Sequence, residues 1–442
     1  MGLATTDEVR LPPASRVPGF IQGLRFVVAR ERTFARLTRR HGSAFTLDLP
    51  TFGPTVVISD PVAVKELFTM NTDLIGRAGQ LGDVLGDGSI FSLDGSAHRQ
   101  RRKLLVPPFH GKRMHGYESI IEEEVLRETA NWPQGREFAA MPSMMRITLN
   151  AILRAVFGAE GKALEELREL LPLMVLGASR LVVLPPLARH DFGPLSPGGR
   201  ALKLRDRYNQ VIAGLIAQAR ADPELDQRAD VLALLLAARY DDGSAIPDDH
   251  VADELLTLLA AGHETTATTL AWAMERLRRH PDVLARLGAE VDAGGTELTQ
   301  ATIFEVQRTR PVVNTIARIS RARIQLGPWV IPENRVIVVS IGAAHAAEDS
   351  FPDAARFNPD RFIGNPPDNY TWIPYGGGVR RCIGAAFANM EMTVTLRTLL
   401  REFEFGTTTA PGERLHSRGI ASAPADGGRI VVYRRHGTAT VA

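Results

Sequence analysis

Cys382 is the only cysteine in 442 residues, and it sits in a run of glycines and arginines, Tyr375-Gly-Gly-Gly-Val-Arg-Arg-Cys-Ile-Gly384. One thiol excludes a disulfide framework and suits a reducing, cytoplasmic setting. Three readings of the thiol compete. A lone cysteine is most often a small buried hydrophobe. It acts as a nucleophile where a base lies near it in space. It acts as a thiolate ligand where a macrocycle supplies the other ligands of a metal. The neighbours favour the third reading. Glycines let backbone approach a bulky flat object. Arg380 and Arg381 favour thiolate over thiol, and 385–400 reads as a helix opening just after the sulfur with its positive end nearby. A hydrophobic content of 44% is ample for a deep core around such a ligand.

The segment resembles the cysteine-ligand loop of the cytochrome P-450 family, Phe-Gly-x-Gly-x-Arg-x-Cys-x-Gly. Gly376, Gly378, Arg380, Cys382 and Gly384 match, and Tyr375 stands where phenylalanine is usual. A phosphate-binding loop is the rival, but the run lacks the Gly-Lys-Ser/Thr ending. The resemblance implies haem b held by the Cys382 thiolate, and a mostly α-helical triangular prism with a small β region.

Three further motifs lie upstream. An apolar helical pattern runs from about Asp248 to His280 and stops at Pro281. In its middle is Ala261-Gly-His-Glu-Thr-Thr266, poor helix-building material. Either two helices cross there and need small residues, or Gly262 admits a flat ligand and Thr265 bonds back to its own helix. The run resembles the family's oxygen-binding motif. That implies that Thr265 stabilises bound dioxygen and that Glu264 relays protons. His263, at the variable position, is read as a packed or water-bonded histidine, not a ligand.

Glu305-Val-Gln-Arg308 places two opposite charges on one helix face, by itself no more than a solvated pair. It resembles the family's Glu-x-x-Arg signature, and Phe357-Asn-Pro-Asp-Arg-Phe362 resembles the Pro-x-Arg-Phe that follows. The resemblance implies that Glu305, Arg308 and Arg361 form a buried charge cluster under the cysteine loop. From His98 to Lys103, five of six residues are basic. No aromatics interleave to stack on bases, which argues against nucleic acid. His98 and Arg102 match the family's propionate-binding pair, and with Arg380 and Arg318 they would hold the haem carboxylates.

The formal charge is +2, so the basic groups matter locally. No linker or repeat divides the chain; the expectation is an N-terminal extension, 1–39, packed on one domain, 40–442. Nothing at the N-terminus reads as a signal or a membrane span. The apolar stretch 170–187 is broken by Gly177, Arg180, Pro185 and Pro186; either it touches a membrane surface or, as the resemblance implies and as is favoured, it lines the substrate entrance. Patterning predicts a hairpin at 44–49 and 55–58 and strands at 329–332, 336–340 and 429–433. It predicts helices at 60–70, 98–132, 142–157, 162–176, 200–221, 228–240 and 248–292.

The resemblance implies a monomeric haem-thiolate monooxygenase fed by a ferredoxin and its NAD(P)H-dependent reductase. The rivals are a peroxide-using or non-redox relative and a haem-binding sensor or carrier. Thr257 and Ala261 are placed with the pocket wall, together with Val312 to Ile316, the 75–90 loop, Ile420 and Ala421. Thr257 either offers a hydroxyl or bonds back to its own helix, the second being favoured. The mainly apolar wall implies a lipid, terpene, steroid or similar substrate.

Overall fold

A computed structural model of the chain describes residues 4–49, 52–78, 81–158, 161–183, 190–193 and 196–435. Its helices begin with α1 (Gly19–His41), α2 (Pro61–Thr69), α3 (Leu81–Leu85), α4 (Gly95–Leu105), α5 (His115–Thr129), α6 (Met141–Phe157) and α7 (Lys162–Val183). They continue as α8 (Pro197–Ala221), α9 (Val231–Ala237), α10 (Asp248–Leu277), α11 (Pro281–Asp292), α12 (Glu297–Thr309), α13 (Ile341–His345) and α14 (Ala385–Glu402). The strands are short: β1 (Ala44–Leu49), β2 (Gly53–Ile58), β3 (Ile75–Arg77), β4 (Phe138–Ala139), β5 (Thr315–Ser320) and β6 (Ile324–Leu326). After them come β7 (Trp329–Ile331), β8 (Val336–Ser340), β9 (Phe403–Phe405), β10 (Leu415–Ser417), β11 (Ser422–Pro424), β12 (Arg429–Ile430) and β13 (Val432–Arg434). The mainly α class with minor sheet is as the sequence implies.

The chain divides into two compact units, one drawn from 1–79, 94–99 and 307–382, the other from 80–93, 100–306 and 383–442. The first holds a five-stranded sheet ordered β1-β2-β8-β5-β3. β1 and β2 form the expected hairpin, with Ala44 opposite Ile58, and β2 runs parallel to β8. Side chains alternate between faces with a period of two. Val56, Ile58, Ile337 and Val339 therefore pack into one cluster with α2, through Val64, Leu67 and Phe68. Phe45, Leu47, Val57, Val336 and Val338 enter a second cluster with Phe34 of α1. Because both faces are covered, β8 is buried along its whole length, which explains its uninterrupted Val-Ile-Val-Val sequence.

The second unit is built on α10. Thirty residues make it about 45 Å long, and α6 and α14 pack along it. Trp272 is fully buried and donates its indole N–H to the Ser422 carbonyl at 2.8 Å, tying α10 to β11. Several boundaries differ from expectation. The predicted 98–132 helix breaks into α4 and α5 around Pro107, Pro108 and Gly111, because proline supplies no N–H to continue the ladder. The predicted 429–433 strand splits, β12 pairing with β4 and β13 with β9. Helix α1 was not foreseen. Of the 170–187 stretch, α7 carries residues to Val183, and 184–187 lie outside the described residues.

Candidate functional site

From Tyr375 to Cys382 the cysteine loop lies in the first unit. Gly376 and Gly378 adopt left-handed φ of 67° and 64°, which only glycine takes without strain. A Cβ at Gly377 or Gly378 would collide with Phe68 of α2, so packing against α2 requires both glycines. The Cys382 N–H donates to the Tyr375 carbonyl at 2.9 Å, which closes the loop, and Cys382 itself is exposed. The Tyr375 hydroxyl accepts from Gln307 at 2.7 Å. The tyrosine that replaces phenylalanine thus has a polar partner of its own. Ile316 reaches toward Gly376 from β5, so this expected wall residue backs the loop. Val312 is buried.

Charge gathers beside the loop. Arg380 donates to Asp94 at 2.7 Å, and Arg321 pairs with the same carboxylate. Burial works against the Asp94 carboxylate, yet Arg380 and the N–H groups of Arg77 and Gly95 together hold its pKa below the usual range. Arg318 is less basic than normal, down to about 10, first because of burial and then because of neighbouring Arg380. A small pocket lined by Leu67, Phe68, Met70, Ile75, Arg318 and Arg380 opens here. Guanidiniums in excess over carboxylate, next to apolar walls and an exposed thiol, fit a flat apolar group with acidic side arms. Haem b is such a group. His98 is buried, and Arg102 lies four residues on along α4, partly exposed.

Glu305 and Arg308 are not a solvated pair. Both are buried in α12, at 0% and 2% exposure. Arg308 donates to the carbonyls of His345 at 2.9 Å and Arg356 at 3.2 Å, and lies over the Phe351 ring. Arg361 donates to the Pro352 carbonyl at 3.2 Å. His345 completes the arrangement and was missed by sequence reasoning, since no motif marks it. Its Nδ1 faces the Arg308 carbonyl at 3.2 Å, and its Nε2 accepts from the Ile373 N–H at 2.9 Å. These bonds require the neutral ring. Burial, reinforced by Arg308, lowers its pKa to about 3.

A pH dependence follows. The unfolded chain binds a proton at this ring near pH 6.5, whereas the folded one does so only near 3. Stability is therefore full above about 6.5 and lost as pH falls toward 3, by about 2 kcal/mol at pH 5. Urea unfolding at pH 7 and pH 5 checks this. His345→Gln should be less stable at pH 7 but should lose less on acidification. An equal acid loss in both proteins would clear His345.

In the second unit, α10 is buried along most of its length, but Ala261 is exposed and Thr265 partly so. Four apart, they share one face. The Thr265 hydroxyl donates to the Ala261 carbonyl at 2.7 Å, the expected back-bond. Gly262 turns elsewhere. A Cβ there would sit 3.3 Å from Ile152 of α6, so the small residue serves a helix crossing. His263 is buried and packed as expected; its Nδ1 faces the Leu259 carbonyl at 2.9 Å, and burial lowers its pKa. Glu264 is nearly buried and pairs at 3.1 Å with Arg418. Arg418 sits with Ile420 on the turn between β10 and β11, a partner that sequence spacing did not reveal.

Thr257 makes the back-bond favoured for it from the sequence. It is 2% exposed, its hydroxyl donates to the Asp253 carbonyl and lies 2.7 Å from that of Ser89. It fastens a loop instead of facing open space. Beside it, the Gly88 N–H donates to Asp253, and Arg101 reaches both the Gly88 carbonyl and Glu254. Arg101, one of the basic run after His98, is thus a buried structural cation. Burial raises the Glu254 carboxyl to about 7 in spite of Arg101.

The chain matches the cytochrome P-450 family model over residues 12–427. Cytochrome P-450 138 of Mycobacterium tuberculosis is 56% identical over 97% of both chains. Cytochrome P-450 135B1 of the same organism is 38% identical over 97% of this chain and 93% of its own. Among solved structures, the retinoic acid-bound cyanobacterial CYP120A1 superposes with a TM-score of 0.84 at 23% identity, covering 97% of this chain and 100% of that one. The haem domain of cytochrome P-450DA gives 0.85 at 21%, covering 97% and 98%. Such distant structures speak for the fold; the family match and the sequence relatives carry the chemistry, that of a haem b oxidoreductase with a cysteine thiolate as axial ligand. By its motifs, its fold and its relatives, this chain belongs to the cytochrome P-450 family of haem-thiolate monooxygenases.

Proposed function

We propose that this chain inserts one atom of dioxygen into a hydrophobic organic molecule, with electrons from NAD(P)H delivered by a ferredoxin and its reductase. Cys382, the one cysteine available, is the thiolate ligand. When bound, haem supplies the activation of dioxygen, and the thiolate pushes electron density that favours O–O cleavage, as stated generally for this family. His98, Arg102, Arg318 and Arg380 hold its carboxylates, because buried anions need such partners. Glu305, Arg308 and Arg361 are structural and fix the segment that presents the cysteine. We read residues 40–442 as one catalytic domain with 1–39 an extension, acting as a monomer in the cytoplasm.

The observation that carries the reading is the open face of α10, where the exposed Ala261 and the partly exposed Thr265 interrupt a largely buried stretch beside the carboxylate of Glu264. Thr265 holds a hydrogen bond at the reacting oxygen. Glu264, released from Arg418, takes a proton from solvent and passes it inward. On α10, Ala261 supplies apolar wall, whereas Thr257 supports it from behind.

Thr265→Ala should leave fold and haem content intact, since alanine is a good helix former. Electrons should still be consumed, with a larger share leaving as hydrogen peroxide. Glu264→Gln should slow turnover, because an amide does not ionise. Product and peroxide are counted per NAD(P)H oxidised in a reconstituted redox chain. Unchanged coupling in the first variant and unchanged rate in the second would reduce α10 to scaffolding and favour a sensor or carrier.

A further inference from the structure

Helix α1 has two unlike sides. Its inner side packs on the sheet, where Phe34 meets Phe45 of β1 edge-on at 6.0 Å; within the helix, the Phe26 and Phe34 rings lie 5.9 Å apart and tilted. Its outer side is neither apolar nor balanced in charge. Phe20 is 74% exposed and Leu24 is 65% exposed, one helical turn apart near the start of the helix. Arg25, Arg32, Arg36, Arg39 and Arg40 are exposed along the rest. Among the described residues none of these five has an ion-pair partner. The whole helix has six arginines against a single carboxylate, Glu31, which itself faces Arg30 at 3.6 Å. An exposed phenylalanine and leucine side by side cost solvation that a sheet-packing helix has no need to incur.

We propose that the outer side of α1 docks on an anionic lipid surface. Phe20 and Leu24 would enter the boundary below the headgroups, while the arginines pair with phosphates, a charge match that guanidinium geometry favours. The kink at Ala29 divides the helix; the segment after it, about 18 Å long, carries Arg32, Arg36, Arg39 and Arg40 in succession. Four exposed cations of one sign in succession suit an extended charged plane better than the compact footprint of an acidic protein. No described helix is long and apolar enough to cross a membrane, so the contact would be peripheral. Such docking would bring the enzyme to molecules dissolved in a bilayer, although the proposal itself rests on α1 alone and stands apart from the catalytic reading.

The test is flotation of the full-length holoenzyme with vesicles of phosphatidylcholine alone or mixed with phosphatidylglycerol, at low and high salt. Binding should require phosphatidylglycerol and should weaken with salt. Arg36→Gln with Arg40→Gln should weaken it roughly 30-fold, at about 1 kcal/mol for each charge near such a surface. Phe20→Ser with Leu24→Ser should weaken it more than tenfold. Melting temperature and haem content should not move in either pair, which separates lost docking from lost folding. Equal binding to both vesicle types, no binding to either, or binding indifferent to the Phe20 and Leu24 changes would overturn the proposal. So would vesicle binding too weak to detect alongside saturable binding of an acidic ferredoxin that the arginine changes abolish.

Discussion

Cys382→Ser should erase the red-shifted Soret band of the reduced carbon-monoxide complex. A hydroxyl ionises far less readily than a thiol and is a poor donor to iron, so serine would leave the cofactor without a strong anionic ligand. The loop should survive the exchange, because its closure depends on the Cys382 backbone N–H and on Gly376 and Gly378, which remain. Haem content is measured beside the spectrum, so that a lost band is not confused with a lost cofactor. If the band persists, sulfur is not the ligand.

The second large effect is on stability. Glu305→Ala or Arg308→Ala strands groups that the fold has taken out of water, at a cost of about 3–5 kcal/mol for a broken buried pair. Removing Arg308 also leaves the His345 and Arg356 carbonyls without a donor and bares the Phe351 ring. Haem incorporation and melting temperature should both fall before turnover is asked about. Normal values in both variants would mean that the two charges have only local importance.

What was legible in the sequence was local. The hairpin at β1 and β2, the length of α10 and the start of α14 follow from period and punctuation within a few residues. The cysteine loop and the Glu-x-x-Arg pair follow from short motifs. What escaped notice depends on partners far along the chain. Arg101 meets Glu254 from 153 residues away, Arg418 meets Glu264 from 154, and His345 meets Ile373 from 28. Spacing carries no trace of such pairs. Helix α1 escaped for another reason. It is kinked at Ala29, whose φ of −146° is not helical, and its exposed Phe20 and Leu24 blur the apolar stripe that a buried face would show. Thr257 illustrates a third limit. Its place on the helix was predicted, but which side of the wall it serves depended on where Ser89 falls.

The gathering of guanidiniums around Asp94 has a consequence for the empty chain. Arg318 is made less basic by burial and by its neighbour Arg380, so the positive charge beside the cysteine loop exceeds what that carboxylate neutralises. Like charges held together oppose closure of the segment, and a dianionic guest relieves them. Excess positive charge beside the loop is thus a cost that an anionic guest would offset. Dissolved anions should ease the empty chain and leave the loaded one indifferent.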